Sequence, residues 1–112
     1  MDRNGVLACC RSLRGVSEGN PFGPEVLVFK VGARVFAIVG DDSLSLKCDP
    51  ILATALRDTY PAVTPGYHLN KRHWNTVQLD GSVPDDALVD WIQDSYDLAL
   101  AGLSRAQRSA LG

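Results

Sequence analysis

Residues 65–77 read Pro65-Gly66-Tyr67-His68-Leu69-Asn70-Lys71-Arg72-His73-Trp74-Asn75-Thr76-Val77, and the fold turns on how this run is read. The opening Pro-Gly breaks any helical period. The run therefore predicts a β-hairpin with Asn70-Lys71-Arg72 at its tip and a returning strand from about His73 to Leu79, closed by the Asp80-Gly81 turn. No acidic residue occurs between Asp58 and Asp80, although the interval holds Lys71, Arg72, both histidines, two tyrosines and Trp74. Cations, amide donors and aromatic faces side by side suit a phosphate-bearing or planar partner. The alternative is structural: Tyr67, Leu69, Trp74 and Val77 packed in the core, with the basic residues in a solvated turn.

Working outward, 112 residues with 46% hydrophobic and 21% charged side chains are enough for one core and too few for two. The formal charge of -2 and a pI near 5.5 exclude a protein that coats nucleic acid indiscriminately, so any such binding has to be local. Cys9, Cys10 and Cys48 are odd in number and lack C-x-x-C spacing, which fits unpaired thiols in a reducing compartment. The N-terminal residues carry Asp2 and contain no long apolar run, which predicts neither a secretion signal nor a membrane span. A cytoplasmic location is the expectation.

Upstream, residues 2 to 15 have Val6, Leu7, Cys10 and Leu13 at helical spacing, and the glycine- and proline-rich run from Gly15 to Pro24 predicts a loop. Residues 25–31 and 34–39 alternate as two strands joined at Gly32-Ala33, a primed hairpin turn. In the first of these strands, Leu27, Phe29 and Val31 share one face, and Val26, Val28 and Lys30 share the other, which should be only partly wet. A third strand, Leu44 to Cys48, turns Leu44, Leu46 and Cys48 inward and Ser45 and Lys47 outward. Asp49-Pro50 starts a short helix that runs to Thr59, where Tyr60-Pro61 stops it. Pro61 to Gly66 reads as a loop.

Downstream, the longest helix runs from Pro84 to about Gly102, with Asp85 and Asp86 at its positive end. Leu88, Ile92, Tyr96, Ala99 and Leu103 fall in one sector, and Asp86, Asp90, Asp94 and Asp97 form an acidic stripe on the other. Four carboxylates at that spacing read as a solvated face rather than a metal ridge. Residues 104 to 112 read as a loosely held tail behind a single domain of residues 1–103.

Catalytic signatures are sparse. The chain contains no Gly-rich phosphate loop, no G-x-S-x-G and no H-E-x-x-H. His68 and His73 on two arms of a hairpin, joined by Cys48, would be the best approach to a zinc site or a small-molecule enzyme, but two histidines and one thiol are a thin ligand set. Ser95 reads as a helix-packing residue with no base beside it. The residues point to a non-enzymatic protein without a cofactor or a resident metal.

Several runs together resemble the MmcQ/YjbR family: Pro21-Phe22-Gly23, the hairpin through Val28-Phe29-Lys30-Val31 and Phe36-Ala37, Leu44 to Pro50, Tyr67-His68-Leu69-Asn70-Lys71-Arg72-His73-Trp74, and Asp94-Ser95-Tyr96-Asp97-Leu98. Arg14 departs from the pattern, where a proline would end the first helix. The resemblance implies a frataxin-like α+β fold, an antiparallel sheet flanked by helices in the order α-β-β-β-α-β-β-α. It also implies DNA binding through two β-hairpin wings. Carried onto this chain, the wings are the hairpin around Lys71 and Arg72 and the hairpin bearing Lys30 and Arg34, with Lys47 as a further phosphate contact and Asn70, His73 and Asn75 adding hydrogen bonds. Trp74 and Tyr67 would either stack on bases or anchor the hairpin. Three or four engaged cations predict weak, salt-sensitive binding, with a log–log salt slope of about −3. A protein adaptor, docking through the acidic helix and the basic hairpin, is the competing expectation.

Overall fold

A computed structural model describes residues 1–111 and shows an α+β protein built on one six-stranded antiparallel sheet. Helix α1 (Arg3–Arg11) begins where the Asp2 carboxylate accepts from the Gly5 amide and stops at Ser12, about one turn earlier than the spacing predicts. Gly15 at φ 75° then redirects the chain into β1 (Val16–Gly19), a strand where a loop was expected. Its residues are mostly exposed, and it forms by backbone pairing to the sheet edge, from Val16 opposite Val31 to Gly19 opposite Val28. An edge strand of this kind turns only Val16 partly onto the core and so leaves no alternation to read.

Strands β2 (Leu27–Val31) and β3 (Arg34–Val39) pair as the predicted two-residue hairpin, with Gly32 at φ 58° in its turn. The register slips between Phe29 and Lys30, so the facing strand carries an extra residue and Phe36 and Ala37 are both fully buried. Strand β4 (Ser43–Lys47) follows, then α2 (Pro50–Thr59), whose first amides, Ile51 and Leu52, donate to the Asp49 carboxylate as its sequence predicts. Strand β5 (Val63–Pro65) lies within the segment expected to be loop, and β6 (Trp74–Gln78) is the predicted returning strand. Helix α3 (Asp85–Ala101) closes the main fold. The segment expected as a loose tail instead forms α4 (Arg105–Ser109), opened by a reciprocal capping box between Ser104 and Gln107. Leu111 packs back against the core. The order is thus α-β-β-β-β-α-β-β-α-α, and the sheet runs β1-β2-β3-β4-β6-β5.

All the core-forming helices lie on one face of the sheet. There Phe29, Val31, Val39, Leu44, Leu46 and Val77 meet Val6, Leu7 and Cys10 of α1 and the predicted apolar sector of α3, with Leu88, Ile92, Tyr96, Ala99 and Leu103 all buried. Ser95 is fully buried and clamps the helix to two strands: its hydroxyl donates to the Phe36 carbonyl at 2.6 Å and accepts from the Lys47 amide at 2.9 Å. The other face follows the rows Val28–Ile38–Ser45–Thr76–Thr64 and carries no helix among the described residues. Ser45 points to that face as predicted, yet it is nearly buried, its hydroxyl bonded to that of Thr76 at 2.8 Å.

Candidate functional site

The register fixes which residues share an end of the sheet. The β2–β3 turn at Gly32-Ala33, the end of β4 at Lys47 and the β5–β6 loop from Gly66 to His73 all lie at one end. Lys30, Arg34, Lys47, Lys71, Arg72 and His73 are therefore brought to the same end from three strands and the β5–β6 loop. Leu103 comes against Gly32, where an added Cβ would be 3.1 Å from it, and Leu111 comes equally close to Gly15. These two contacts bring Arg105 and Arg108 of α4 to this end as well, along with Arg14. The two α4 arginines were missed because a five-residue helix outside the main sheet leaves little periodicity to read.

The opposite end is acidic. It holds Glu25, the Gly40-Asp41-Asp42 turn, Asp80 beyond β6, and Asp85 and Asp86 at the start of α3. Arg3 belongs to this end, its guanidinium donating to the Gly40 and Glu25 carbonyls, and the N-terminal ammonium pairs with Asp85. A net charge of -2 thus conceals an uneven distribution, with the turn carboxylates at one end and the wing cations at the other, where Asp49 lies beside Lys47 and His73 and Asp94 near Cys48. The Asp86, Asp90, Asp94 and Asp97 stripe is exposed, as its spacing predicts.

The Gly66–His73 loop is rigidly built. The Gly66 amide donates to the Trp74 carbonyl at 2.8 Å and sits so close that a Cβ there would approach the Trp74 Cβ at 2.7 Å. The Asn70 side-chain oxygen accepts from the Arg72 and His73 amides at 2.9 and 3.2 Å, so this residue shapes the tip and does not present its oxygen to a ligand. The His73 carbonyl accepts from the Cys48 amide at 2.8 Å.

Arg57 of α2 is the anchor that sequence reasoning missed. Its Nε donates to Asn75 Oδ1 at 2.7 Å, and its Nη2 donates to the Trp74 carbonyl at 3.2 Å and to the Lys71 carbonyl. Asn75 is buried and donates in turn to the Ala53 carbonyl at 3.3 Å, so it ties the loop to α2 and is withdrawn from any ligand, contrary to expectation. A lone arginine on a short helix carries no signal of such a role.

Lys71 folds its ammonium back onto the Gly66 carbonyl at 3.0 Å, a neutral acceptor that leaves its charge intact. Arg34 likewise donates to the Gly102 carbonyl at 3.1 Å. Among the described residues the ion pairs are the N-terminus with Asp85 and Arg11 with Glu18, so none of the wing cations is neutralised by a carboxylate. The two aromatics part ways. Trp74 is only 9% exposed, packed as an anchor of the hairpin, with the Lys47 ammonium 6.0 Å from its ring centre. Tyr67 is 72% exposed, its ring 4.0 Å from that of His68.

The alternative chemistry is not assembled. Among the described residues no three His, Cys, Asp or Glu side chains converge on a metal position, so His68, His73 and Cys48 form no such cluster. Burial pushes the Cys10 thiol up to about 12 and raises Cys9 and Cys48 as well, which disfavours the nucleophilic thiolate at neutral pH. Although the residue is exposed as a whole, partial desolvation of its carboxyl, followed by Asp90 and Asp97, raises Asp94 as well. The folded protein therefore holds that proton more tightly than the unfolded chain. The penalty on ionised Asp94 is present at neutral pH and disappears as pH falls below the ordinary carboxylate value. Asp94→Asn is expected to stabilise by a few tenths of a kcal/mol at pH 7, the scale of a like-charge helix pair. Urea unfolding should show no such gain at about pH 3.

The YjbR family model matches residues 11–98. The uncharacterised protein YjbR of Escherichia coli K12 is 41% identical over 110 residues, covering 95% of this chain and 93% of its own. The uncharacterised protein YbdF of Escherichia coli O157:H7 is 38% identical over 89 residues, covering 76% and 73%. The crystal structure of Deinococcus radiodurans protein DR2400, assigned to domain family DUF419, superposes with a TM-score of 0.88 at 41% identity, covering 96% of this chain and 85% of that one. A Pseudomonas syringae protein superposes with a TM-score of 0.77 at 26% identity, covering 88% and 99%. Family model, relatives and architecture agree: the chain belongs to the YjbR family.

Proposed function

We propose that the protein binds DNA weakly through its phosphate backbone, using the two hairpin turns at the basic end as paired wings. The observation that carries this reading is the gathering of Lys30, Arg34, Lys47, Lys71 and Arg72 at one end, none of them ion-paired among the described residues, while the turn carboxylates lie at the other. In the sheet order the wings are centred three strand spacings apart, about 14 Å at ~4.8 Å per spacing. That separation is comparable to the ~12 Å major groove, so two rows of phosphates are within reach. The acidic pole opposes indiscriminate coating and favours one orientation on a polyanion. The reading is non-enzymatic. Three free cysteines suit a cytoplasmic location, and among the described residues no helix is long and apolar enough to cross a membrane.

The test is a mobility-shift titration on a short duplex at two salt concentrations, with the double variant Lys71→Ala, Arg72→Ala alongside. Losing two phosphate contacts should weaken binding at least tenfold at low salt and flatten the log–log salt slope by about 2 units, while the circular dichroism spectrum is unchanged. Equal retention of the variant and the wild type at both salt concentrations would refute the assignment of the wing.

A further inference from the structure

Resting on the DNA-binding reading, we propose that the helix-free face of the sheet beside the Gly66–His73 wing captures unpaired nucleobases, so that the protein prefers single-stranded to fully paired DNA. This face holds an open cleft of about 780 Å³ between the wing loop, which contributes Tyr67, His68 and Leu69, and Phe22 of the β1–β2 connection. Its floor is Ile38, Ser45 and Thr76, and no carboxylate of the described residues lines it. That volume is ample for a base with its sugar.

Three observations converge on a planar, phosphate-bearing occupant. The first is display: Tyr67 and Phe22 are 72% and 73% exposed, whereas Trp74 in the same wing is packed away. Aromatic rings held out over a neutral floor are the platforms on which unstacked bases lie. The second is strain. His68 is the one non-glycine residue with positive φ among the described residues, at 56°. That conformation is costly for such a side chain and persists only where its surroundings hold it. Here the flanking Tyr67 amide is bonded to Thr76 Oγ1 at 3.0 Å, which seats the loop over the cleft with the Tyr67 and His68 rings side by side. The third is continuity, because the same short loop carries Lys71 and Arg72. A strand whose phosphates follow those cations delivers its bases to the rings three to five residues away. A stacked duplex presents no free base face to them.

Fluorescence anisotropy with a labelled 12-nucleotide single strand and the matching blunt duplex, at low salt, tests this directly. The single strand should bind more tightly. Tyr67→Ala should weaken single-strand binding by about tenfold, Tyr67→Phe should restore it, and duplex binding should change less than twofold in both variants. Duplex binding equal to or tighter than single-strand binding, or a Tyr67→Ala variant that leaves single-strand affinity intact, would overturn the inference while the backbone-contact reading stands. Wild-type protein that binds neither form would remove both.

Discussion

Replacing Phe36 by alanine is expected to destabilise the protein by about 3–5 kcal/mol, the usual cost of emptying a fully buried aromatic site. Phe36 is 0% exposed, sits edge-on to Tyr96 of α3 at 5.5 Å between ring centres, and lies 6.3 Å from Phe29. It occupies the extra position in the β2–β3 register, so no neighbouring side chain on its strand can shift to take its place without undoing the bulge. Its carbonyl also accepts the Ser95 hydroxyl, which holds α3 on the sheet. For a domain of this size the loss corresponds to a melting temperature lower by on the order of 15 °C. Denaturant and thermal unfolding would check it; a change below about 1 kcal/mol would mean that the residue lies outside the core.

The second large effect is expected from Arg57→Leu. This guanidinium satisfies the buried Asn75 oxygen and two carbonyls of the wing. Hydrogen bonds from a charged donor contribute about 1.5–3 kcal/mol, and the orphaned Asn75 oxygen adds a desolvation cost. A total near 3 kcal/mol is expected. The local signature is more specific than the total, because amide hydrogen exchange at Gly66, Arg72 and His73 should accelerate much more than exchange in β2 and β3. Uniform acceleration across the sheet would indicate global destabilisation only. The variant should also weaken DNA binding, because the wing cations would no longer be held in place.

Much of this was legible in the sequence where burial imposes a period. The apolar sector of α3 and the β2–β3 hairpin are set by side-chain alternation and by glycine in a turn, and Asp49-Pro50 opens α2. What escaped reading lacks a period. β1 exists through backbone pairing to an edge, β5 is three residues long, and α4 is a single capped turn. The site divides in the same way. Lys71, Arg72 and the neighbouring aromatics stand together in the chain, so their clustering is visible before folding. The gathering of Lys30, Arg34 and Lys47 with them depends on strand register. The diversion of Asn70 and Asn75 to structural bonds depends on the turn that Asn70 closes with the amides of Arg72 and His73, and on the packing of α2, which brings Ala53 to Asn75. Trp74 and Tyr67, seven residues apart in one wing, took opposite fates because only Trp74 lies on a strand under the folded loop.

The most direct test of the two-wing account is a titration of nitrogen-15-labelled protein with a short DNA, followed by amide shifts in two-dimensional NMR. The account predicts that the turn at Gly32–Arg34 and the loop at Lys71–His73 shift together, with one apparent affinity, while Asp41, Asp42 and Asp80 at the far pole stay still. Shifts confined to the α2–α3 side or to the acidic pole, or no shifts at low salt, would contradict it.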